Sequence, residues 1–120
     1  MKKYTDSHEW IDLVGENGRV GISTYALKEL GEVVYIQLPK VGETVQAYSE
    51  VAVLESTKAA ADIYSPITGK IIEVNEELSS DPLLLNQDPE GKGWLFTIAI
   101  ADRSEYDSLL DQPQYLQLIL

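Results

Sequence analysis

The stretch ESTKAAADIYSP, residues 55–66, contains one lysine whose immediate neighbours are small and uncharged. An amine acts either as a nucleophile, when burial lowers its pKa, or as an attachment point on a flexible stem, when it is exposed. Thr57, Ala59 and Ala60 are too small to build the apolar pocket that a low pKa requires. They do leave the stem of Lys58 open to a modifying enzyme at a hairpin tip. We therefore predict that Lys58 is an exposed attachment point and not the nucleophile of a small lysine-dependent enzyme.

The other residue types exclude most alternative sites. The chain has no cysteine, which excludes disulfides, thiolate zinc sites, iron–sulfur clusters and cysteine nucleophiles. His8 is the only histidine, so a multi-histidine metal site is excluded, and we interpret the ring as a solvated surface group. Residues 86–93 resemble a calcium loop in part, but Pro89 interrupts them and Thr97 stands where a bidentate glutamate is required. No metal site is expected.

The excess of acidic residues disfavours nucleic acid and anionic membranes as partners. The 120 residues include 9 Lys and Arg against 20 Asp and Glu, so the formal net charge is -11. Nucleic acid and anionic membrane surfaces would repel this chain, whereas basic faces of protein partners would attract it. The length favours a single domain over residues 1–120. No apolar segment follows the first lysines and no stretch reaches the length of a membrane span, so the expected location is the cytoplasm.

Short apolar segments separated by turn signals predict a mainly β fold. WIDLV and RVGIS flank the turn sequence GENG and predict a β-hairpin. Pro39 stops the apolar segment VVYIQL. Pro66 and Gly69 separate the two predicted strands that follow Lys58, at residues 63–64 and 70–74. Strands at such regular spacing are typical of a small sandwich or barrel. The predicted strands cover residues 10–14, 19–23, 33–38, 51–55, 63–64, 70–74 and 94–100.

Short helices are predicted around these strands. Thr24 is suited to cap a helix over residues 25–30, which Gly31 would end. Ser104 is suited to cap another helix, and Pro113 fits the first turn of a C-terminal one. The expected fold class is mainly β (α+β), a flattened barrel or sandwich with short helices and a C-terminal helical segment.

Four separated segments resemble one known family, in that family's order. They are SHEW (residues 7–10), VGIS-YA-LGEVVYIQLP (20–39), ESTKAAADIYSPITGKIIEVN (55–75) and NQDPEGKGWLF (86–96). The family is the H-protein of the glycine cleavage system, within the lipoyl/biotinyl carrier superfamily, and the resemblance covers nearly the whole chain. It implies a lipoyl-domain fold of the barrel-sandwich hybrid type. Lys58 aligns with the lysine of the family's E-S-x-K-A motif, which implies that lipoic acid is amide-linked to Lys58.

The resemblance implies a carrier component and not an enzyme. Its lipoyl arm would take an aminomethyl group from a pyridoxal-phosphate glycine decarboxylase and deliver it to a tetrahydrofolate-dependent aminomethyltransferase. An FAD-dependent dihydrolipoyl dehydrogenase would then reoxidise the arm, so the difficult chemistry belongs to cofactors of other proteins. A lipoate ligase or a lipoyl/octanoyl transferase would attach the lipoate, and the implied setting is the cytoplasm of a bacterium.

Three acidic residues correspond to family positions around the arm. Glu55 and Asp62 flank Lys58 and are implied in recognition by the lipoylating enzymes, although two solvated carboxylates at strand ends explain them equally well. Glu9, in SHEW, corresponds to an acid near the cleft into which the amine-loaded arm retreats from water.

Two alternatives use the same lysine. Biotin-accepting lysines typically lie between two methionines, whereas Thr57 and Ala59 flank Lys58 and the only methionine is Met1, which disfavours biotin. An H-like protein that donates lipoyl groups to other dehydrogenases, or that is a lipoylated regulatory target, would carry the same motif. The sequence leaves this second alternative open.

The turn before the lysine-bearing hairpin departs from the family pattern. Residues 47–50 read AYSE, and the family usually has a glycine in this turn. A backbone position that favours a positive φ then carries the bulky ring of Tyr48. We expect a remodelled turn there.

Overall fold

The computed structural model describes residues 2–120, which form two antiparallel β-sheets with short helices around them. The strands are β1 (Lys2–Tyr4), β2 (Glu9–Val14), β3 (Asn17–Ile22), β4 (Val33–Gln37), β5 (Thr44–Val45), β6 (Glu50–Ser56), β7 (Ala60–Tyr64), β8 (Gly69–Val74) and β9 (Phe96–Ile100). The helices are α1 (Thr24–Leu30), α2 (Glu77–Ser80), α3 (Leu83–Gln87), α4 (Arg103–Asp107) and α5 (Gln112–Ile119). None of the helices within residues 2–120 is long and apolar enough to cross a membrane.

The two sheets confirm the predicted flattened sandwich. One sheet has the strand order β1-β2-β3-β9-β8-β5, and the other has the order β4-β6-β7. Neither sheet closes on itself, because each ends in strands that pair on one side only. The hairpin predicted from WIDLV and RVGIS is the β2–β3 pair, with Val14 opposite Asn17 at its turn.

One apolar core joins the two sheets. Ile11, Ile71 and Phe96 of the larger sheet and Leu54 of the smaller sheet are fully buried and belong to the same cluster. Along β6 and β7 the inward residues alternate with outward ones, so that burying Leu54 places Glu55 in solvent. The core therefore decides which side of the hairpin carries the charged residues.

Two helix caps differ from the sequence prediction by one or two residues. Ser23, not Thr24, caps α1, because its extended backbone lets Oγ accept the N–H of Ala26 at 3.1 Å. Thr24 instead donates its own N–H and Oγ1–H to Glu90 Oε2, at 2.9 and 3.0 Å. Asp102, not Ser104, caps α4 by accepting the Ser104 N–H at 3.0 Å.

Other local predictions are confirmed. Gly31 ends α1 with a φ of 85° and donates its N–H to Leu27 O. Pro113 lies in the first turn of α5. Tyr48 adopts a φ of 67°, so the turn before β6 does require the left-handed conformation that glycine usually supplies. One boundary was predicted wrongly, because the last strand starts at Phe96, two residues later than expected.

Candidate functional site

Lys58 lies at the tip of the β6–β7 hairpin, in the loop that joins Ser56 to Ala60. Ser56 organises this tip, since its Oγ accepts the N–H groups of Lys58 and Ala59 at 3.1 and 3.0 Å. The Ser56 N–H and Oγ–H both donate to the carbonyl of Ala59. These bonds make a tight turn from small residues and hold the backbone at Lys58, whose side chain is exposed.

A second contact docks the tip onto the end of α1. The N–H of Thr57 donates to Glu32 O at 3.0 Å, and the stem of Lys58 lies over Gly31. Within residues 2–120, no hydrogen bond or ion pair engages Nζ of Lys58. The amine is thus held in place by its stem and stays available at its end.

A cleft of about 500 Å³ opens beside the hairpin tip, and we call it the Lys58 cleft. One wall is α1, with Tyr25, Ala26, Glu29 and Leu30, and the other is the hairpin from Ala59 to Ile63. Ser7 and His8, from the turn before β2, close one end. Apolar side chains form most of the hairpin wall, and the charged groups of the lining are carboxylates, Glu29 and Asp62. This lining suits an extended apolar chain that ends in a cationic group.

Glu9 does not line the Lys58 cleft but lies directly behind it. Its side chain is 1% exposed, and its Oε1 accepts the hydroxyls of Thr5 and Ser7, both at 2.6 Å. Oε2 accepts the N–H of Tyr64 at 3.3 Å. Burial raises the pKa of Glu9, while the hydrogen bonds from Ser7 and Thr5 act in the opposite direction. Ser7 therefore connects the buried carboxyl to the cleft. The sequence analysis did not single out Ser7 as a site residue.

The other acids singled out in the sequence are placed differently. Asp62 lines the Lys58 cleft and is exposed. Glu55 is exposed and pairs across the smaller sheet with Tyr35 on β4 and Ala60 on β7, outside the cleft. The structure therefore places Lys58 next to the cleft without lining it, puts Asp62 in the lining, and connects Glu9 to the cleft through Ser7. Glu55 lies on the adjoining sheet face.

His8 differs from the solvated surface residue that the sequence indicated. Its ring is half-buried, its φ is 76°, and Nδ1 lies 2.8 Å from the hydroxyl of Tyr115 on α5. The Tyr115 hydroxyl lies 2.7 Å from Ser23 Oγ as well. The separation of 107 positions between His8 and Tyr115 explains why sequence spacing did not reveal this contact.

No cluster suited to a metal ion is present within residues 2–120. The side chain of Asn86, the first residue of the calcium-like loop, is used within the fold instead. Its Oδ1 accepts the Val33 N–H and its Nδ2 donates to Gly31 O, each at 2.9 Å. Asn86, in α3, therefore braces the C-terminal end of α1.

Comparisons with known proteins agree with one another. The chain matches the profile of the glycine cleavage H-protein over residues 2–119. It is 51% identical to a glycine cleavage system H protein of Thermotoga maritima, over 96% of this chain and 93% of that protein. It is 45% identical to a glycine cleavage system H protein of Carboxydothermus hydrogenoformans, over 98% of this chain and 90% of that protein.

A solved structure is similar in fold as well as in sequence. The crystal structure of a glycine cleavage system H protein from Mycobacterium marinum superposes with a TM-score of 0.84 at 38% identity. The superposition covers 97% of this chain and 94% of that one. With a matching profile, relatives and structure, this chain belongs to the glycine cleavage H-protein family.

Proposed function

We propose that this chain is the lipoyl-bearing carrier that shuttles the aminomethyl group of glycine among the enzymes of the glycine cleavage system. One observation carries the proposal: in a chain of this family, Lys58 presents an amine that no hydrogen bond or ion pair among residues 2–120 engages, at a hairpin tip beside a cleft with carboxylates in its lining. The chain acts as a carrier component, and the catalytic groups belong to its partner enzymes.

The residues around Lys58 fit lipoate as an amide on Nζ. The exposed amine is accessible to a lipoate ligase or to a lipoyl/octanoyl transferase, and the tight turn around Ser56 fixes where the amine is presented. When bound, lipoate supplies a dithiolane that takes up the aminomethyl group and releases it again. Formation of the amide removes the positive charge of Lys58, so the local charge is then set by the nearby carboxylates.

The Lys58 cleft would shelter the aminomethyl cargo from water. The apolar residues of the hairpin wall would pack against the aliphatic chain and exclude solvent. Asp62 and Glu29 would attract a cationic amine, and Ser7 would offer it a hydroxyl backed by the carboxylate of Glu9. These groups retain cargo and take no part in making or breaking its bonds.

The enzymes that act on the arm must recognise the surface around it. The partners we propose are glycine decarboxylase, aminomethyltransferase, dihydrolipoyl dehydrogenase and the lipoylating enzyme. The net charge of -11 would steer their basic faces toward the carrier. We propose that Glu55, exposed between Tyr35 and Ala60 on the smaller sheet, contributes to recognition by the lipoylating enzyme.

The proposal extends to the domain organisation and the location of the chain. Because both sheets share one core, we propose that the chain functions as a single lipoyl-carrier domain. We propose that it acts in the bacterial cytoplasm, since the relatives that it matches, such as that of Thermotoga maritima, are glycine cleavage system H proteins of bacteria. A role as lipoyl donor or regulatory target outside glycine cleavage would use the same lysine, but no feature of the structure favours it.

The experiment that tests the proposal is an intact-mass measurement after incubation with a lipoate ligase, lipoate and ATP, followed by peptide mapping. We expect a single lipoyl adduct at Lys58. The lipoyl arm should then be loaded with an aminomethyl group by glycine decarboxylase and glycine, unloaded by aminomethyltransferase and tetrahydrofolate, and reoxidised by dihydrolipoyl dehydrogenase. Absence of any adduct, with a known carrier modified in the same tube, would refute the proposal.

A further inference from the structure

One hydroxyl group of the C-terminal helix joins one end of the Lys58 cleft to the cap of the helix that forms one of its walls. Tyr115 Oη lies 2.8 Å from Nδ1 of His8, which closes one end of the cleft. The same oxygen lies 2.7 Å from Oγ of Ser23, which caps α1, the helix that forms the facing wall. Tyr115 itself does not line the cleft, so any effect that it has on bound cargo passes through these two residues.

The Tyr115 ring is rigidly held. It is buried, and it stacks on Tyr4 with a centroid separation of 4.4 Å and an interplanar angle of 5°. Burial raises the pKa of Tyr115, so its hydroxyl keeps its proton in neutral solution. The hydroxyl is therefore held in a fixed place, where it can donate one hydrogen bond and accept another.

Counting donors and acceptors gives this chain of bonds a direction. Ser23 is fully buried, and its Oγ already accepts the Ala26 N–H. If Ser23 donates to Tyr115 and Tyr115 donates to His8 Nδ1, every hydroxyl hydrogen has an acceptor. In the reverse direction the hydroxyl hydrogen of Ser23 would be buried without an acceptor, which is unfavourable. The favoured direction requires a neutral His8 ring with its proton on Nε2.

We propose that Tyr115 is a positioning residue for the Lys58 cleft, which holds His8 as the neutral Nε2–H tautomer in a left-handed backbone conformation and ties it to the cap of α1. A neutral ring adds no positive charge beside a cleft that, on the function proposed above, receives an amine near Glu29 and Asp62. Nδ1 is engaged by Tyr115, so Nε2–H is the ring group left to face a ligand. The hydrogen bonds from Ser23 to Tyr115 and from Tyr115 to His8 thus set both the shape and the charge of this end of the cleft.

Because His8 is the only histidine, ¹⁵N-labelled histidine gives a spectrum of this one ring. We expect the wild-type ring to show the Nε2–H tautomer, because Nδ1 accepts the hydroxyl of Tyr115. In Tyr115→Phe, which keeps the stacked ring and loses the hydroxyl, the Nδ1 signal should move toward that of a free tautomer mixture. A wild-type ring protonated on Nδ1, or a variant spectrum identical to that of the wild type, would overturn the proposal. The wild-type measurement alone keeps the test valid if the variant folds poorly.

Tyr4→Phe is the matched control. It removes a hydroxyl from the other ring of the same stack, one whose hydrogen-bond partner is Glu90 at 2.8 Å. The His8 tautomer should be unchanged in this variant. On fully lipoylated protein, the half-life of the aminomethyl cargo should be roughly threefold to tenfold shorter in Tyr115→Phe than in Tyr4→Phe, the factor that corresponds to one lost hydrogen bond.

The two proposals can fail separately. If the wild type accepts no lipoate but shows the Nε2–H tautomer, the carrier function is refuted and the positioning of His8 by Tyr115 stands. If the wild type is lipoylated and charged normally but Tyr115→Phe retains cargo as long as Tyr4→Phe does, Tyr115 has no positioning role toward the cleft.

Discussion

The stem of Lys58 lies across Gly31, the residue that ends α1, so closely that a Cβ on Gly31 would stand 3.2 Å from Cε of the lysine. Gly31 is also required by its backbone, because a φ of 85° with a ψ of -155° lies in a region that only glycine occupies readily. The adjacent bond from Thr57 N–H to Glu32 O fixes the hairpin against the same helix end. The amine is therefore positioned by α1 as well as by its own turn.

Replacement of Gly31 by alanine is expected to lower the free energy of unfolding by roughly 1–3 kcal/mol, because the new residue cannot relax in that backbone region. The added methyl would meet the stem of Lys58, which is flexible and can move aside. The rate of lipoylation should therefore change little, although the protein is less stable. Urea denaturation and the rate of lipoylation measure the two effects. Gly42→Ala, with a φ of 95° and nothing within 4 Å of its Cβ, is the control for strain without the lysine contact. A Gly31→Ala protein as stable as the wild type would contradict the argument.

Lys58→Arg should abolish lipoylation and leave the fold intact. Arginine keeps a long cationic side chain at an exposed position, but its guanidinium does not form the amide. Intact mass after treatment with ligase, together with thermal unfolding, measures both outcomes. Lys70→Arg, at an exposed position of β8, is the matched control and should be lipoylated normally. Unfolding of Lys58→Arg would mean that the lysine has a structural role and that the carrier interpretation is wrong.

Glu9→Ala should accept lipoate as the wild type does, since Glu9 is buried behind the cleft and does not touch the hairpin tip. Loss of the carboxyl leaves the hydroxyls of Ser7 and Thr5 without their common acceptor, so Ser7 would no longer be oriented. We expect the half-life of the aminomethyl cargo to shorten by about tenfold. Mass spectra of charged protein at intervals measure this loss. An unchanged half-life would remove Glu9 from the site.

Glu9 should also produce a specific pH dependence of stability. Burial raises the pKa of this carboxyl above its ordinary value of 4.5. A carboxyl with a higher pKa in the folded protein contributes stability that is complete below the unfolded pKa and is lost as the pH rises through the folded pKa. The free energy of unfolding of the wild type should therefore fall, relative to that of Glu9→Gln, as the pH rises above 4.5.

Urea titrations of both proteins across this pH range measure the difference. Glu16→Gln is the control, because it removes the same charge from an exposed turn position. A difference between wild type and Glu9→Gln that stays constant with pH would show that the pKa of Glu9 is the same in the folded and unfolded proteins.

Tyr48 offers a stabilising substitution. Its side chain is 60% exposed and its φ is 67°, so the ring contributes little burial while the backbone is strained. Tyr48→Gly should raise the free energy of unfolding by about 0.5–1 kcal/mol, the left-handed penalty less the entropy that glycine loses on folding. Tyr48→Ala removes the ring but keeps the Cβ, and it should give no such gain. If alanine stabilises as much as glycine, the strain lies in the ring contacts and not in the backbone.

Local signals predicted most strands because hydrophobic alternation and turn residues act over a few positions. They were less accurate at helix ends. Ser23 and Thr24 are both good capping residues, and the choice between them depends on Glu90, a carboxylate 66 residues away that binds Thr24. Resemblance to the family placed Glu9 and Asp62 near the arm, but that Glu9 acts through Ser7 became evident only from the geometry.

The sequence by itself determined that Lys58 is an amine among small residues at a turn, that cysteine and multi-histidine chemistry are excluded, and that the chain resembles a lipoyl carrier family. These features depend on composition and on neighbours in the chain. Only the tertiary structure decided how the Lys58 cleft is built. Its walls come from α1, from the hairpin and from the turn before β2, and its bracing hydroxyl comes from Tyr115 in α5. Segments so distant in the chain meet because one core packs both sheets and their helices together, a condition that no local pattern records.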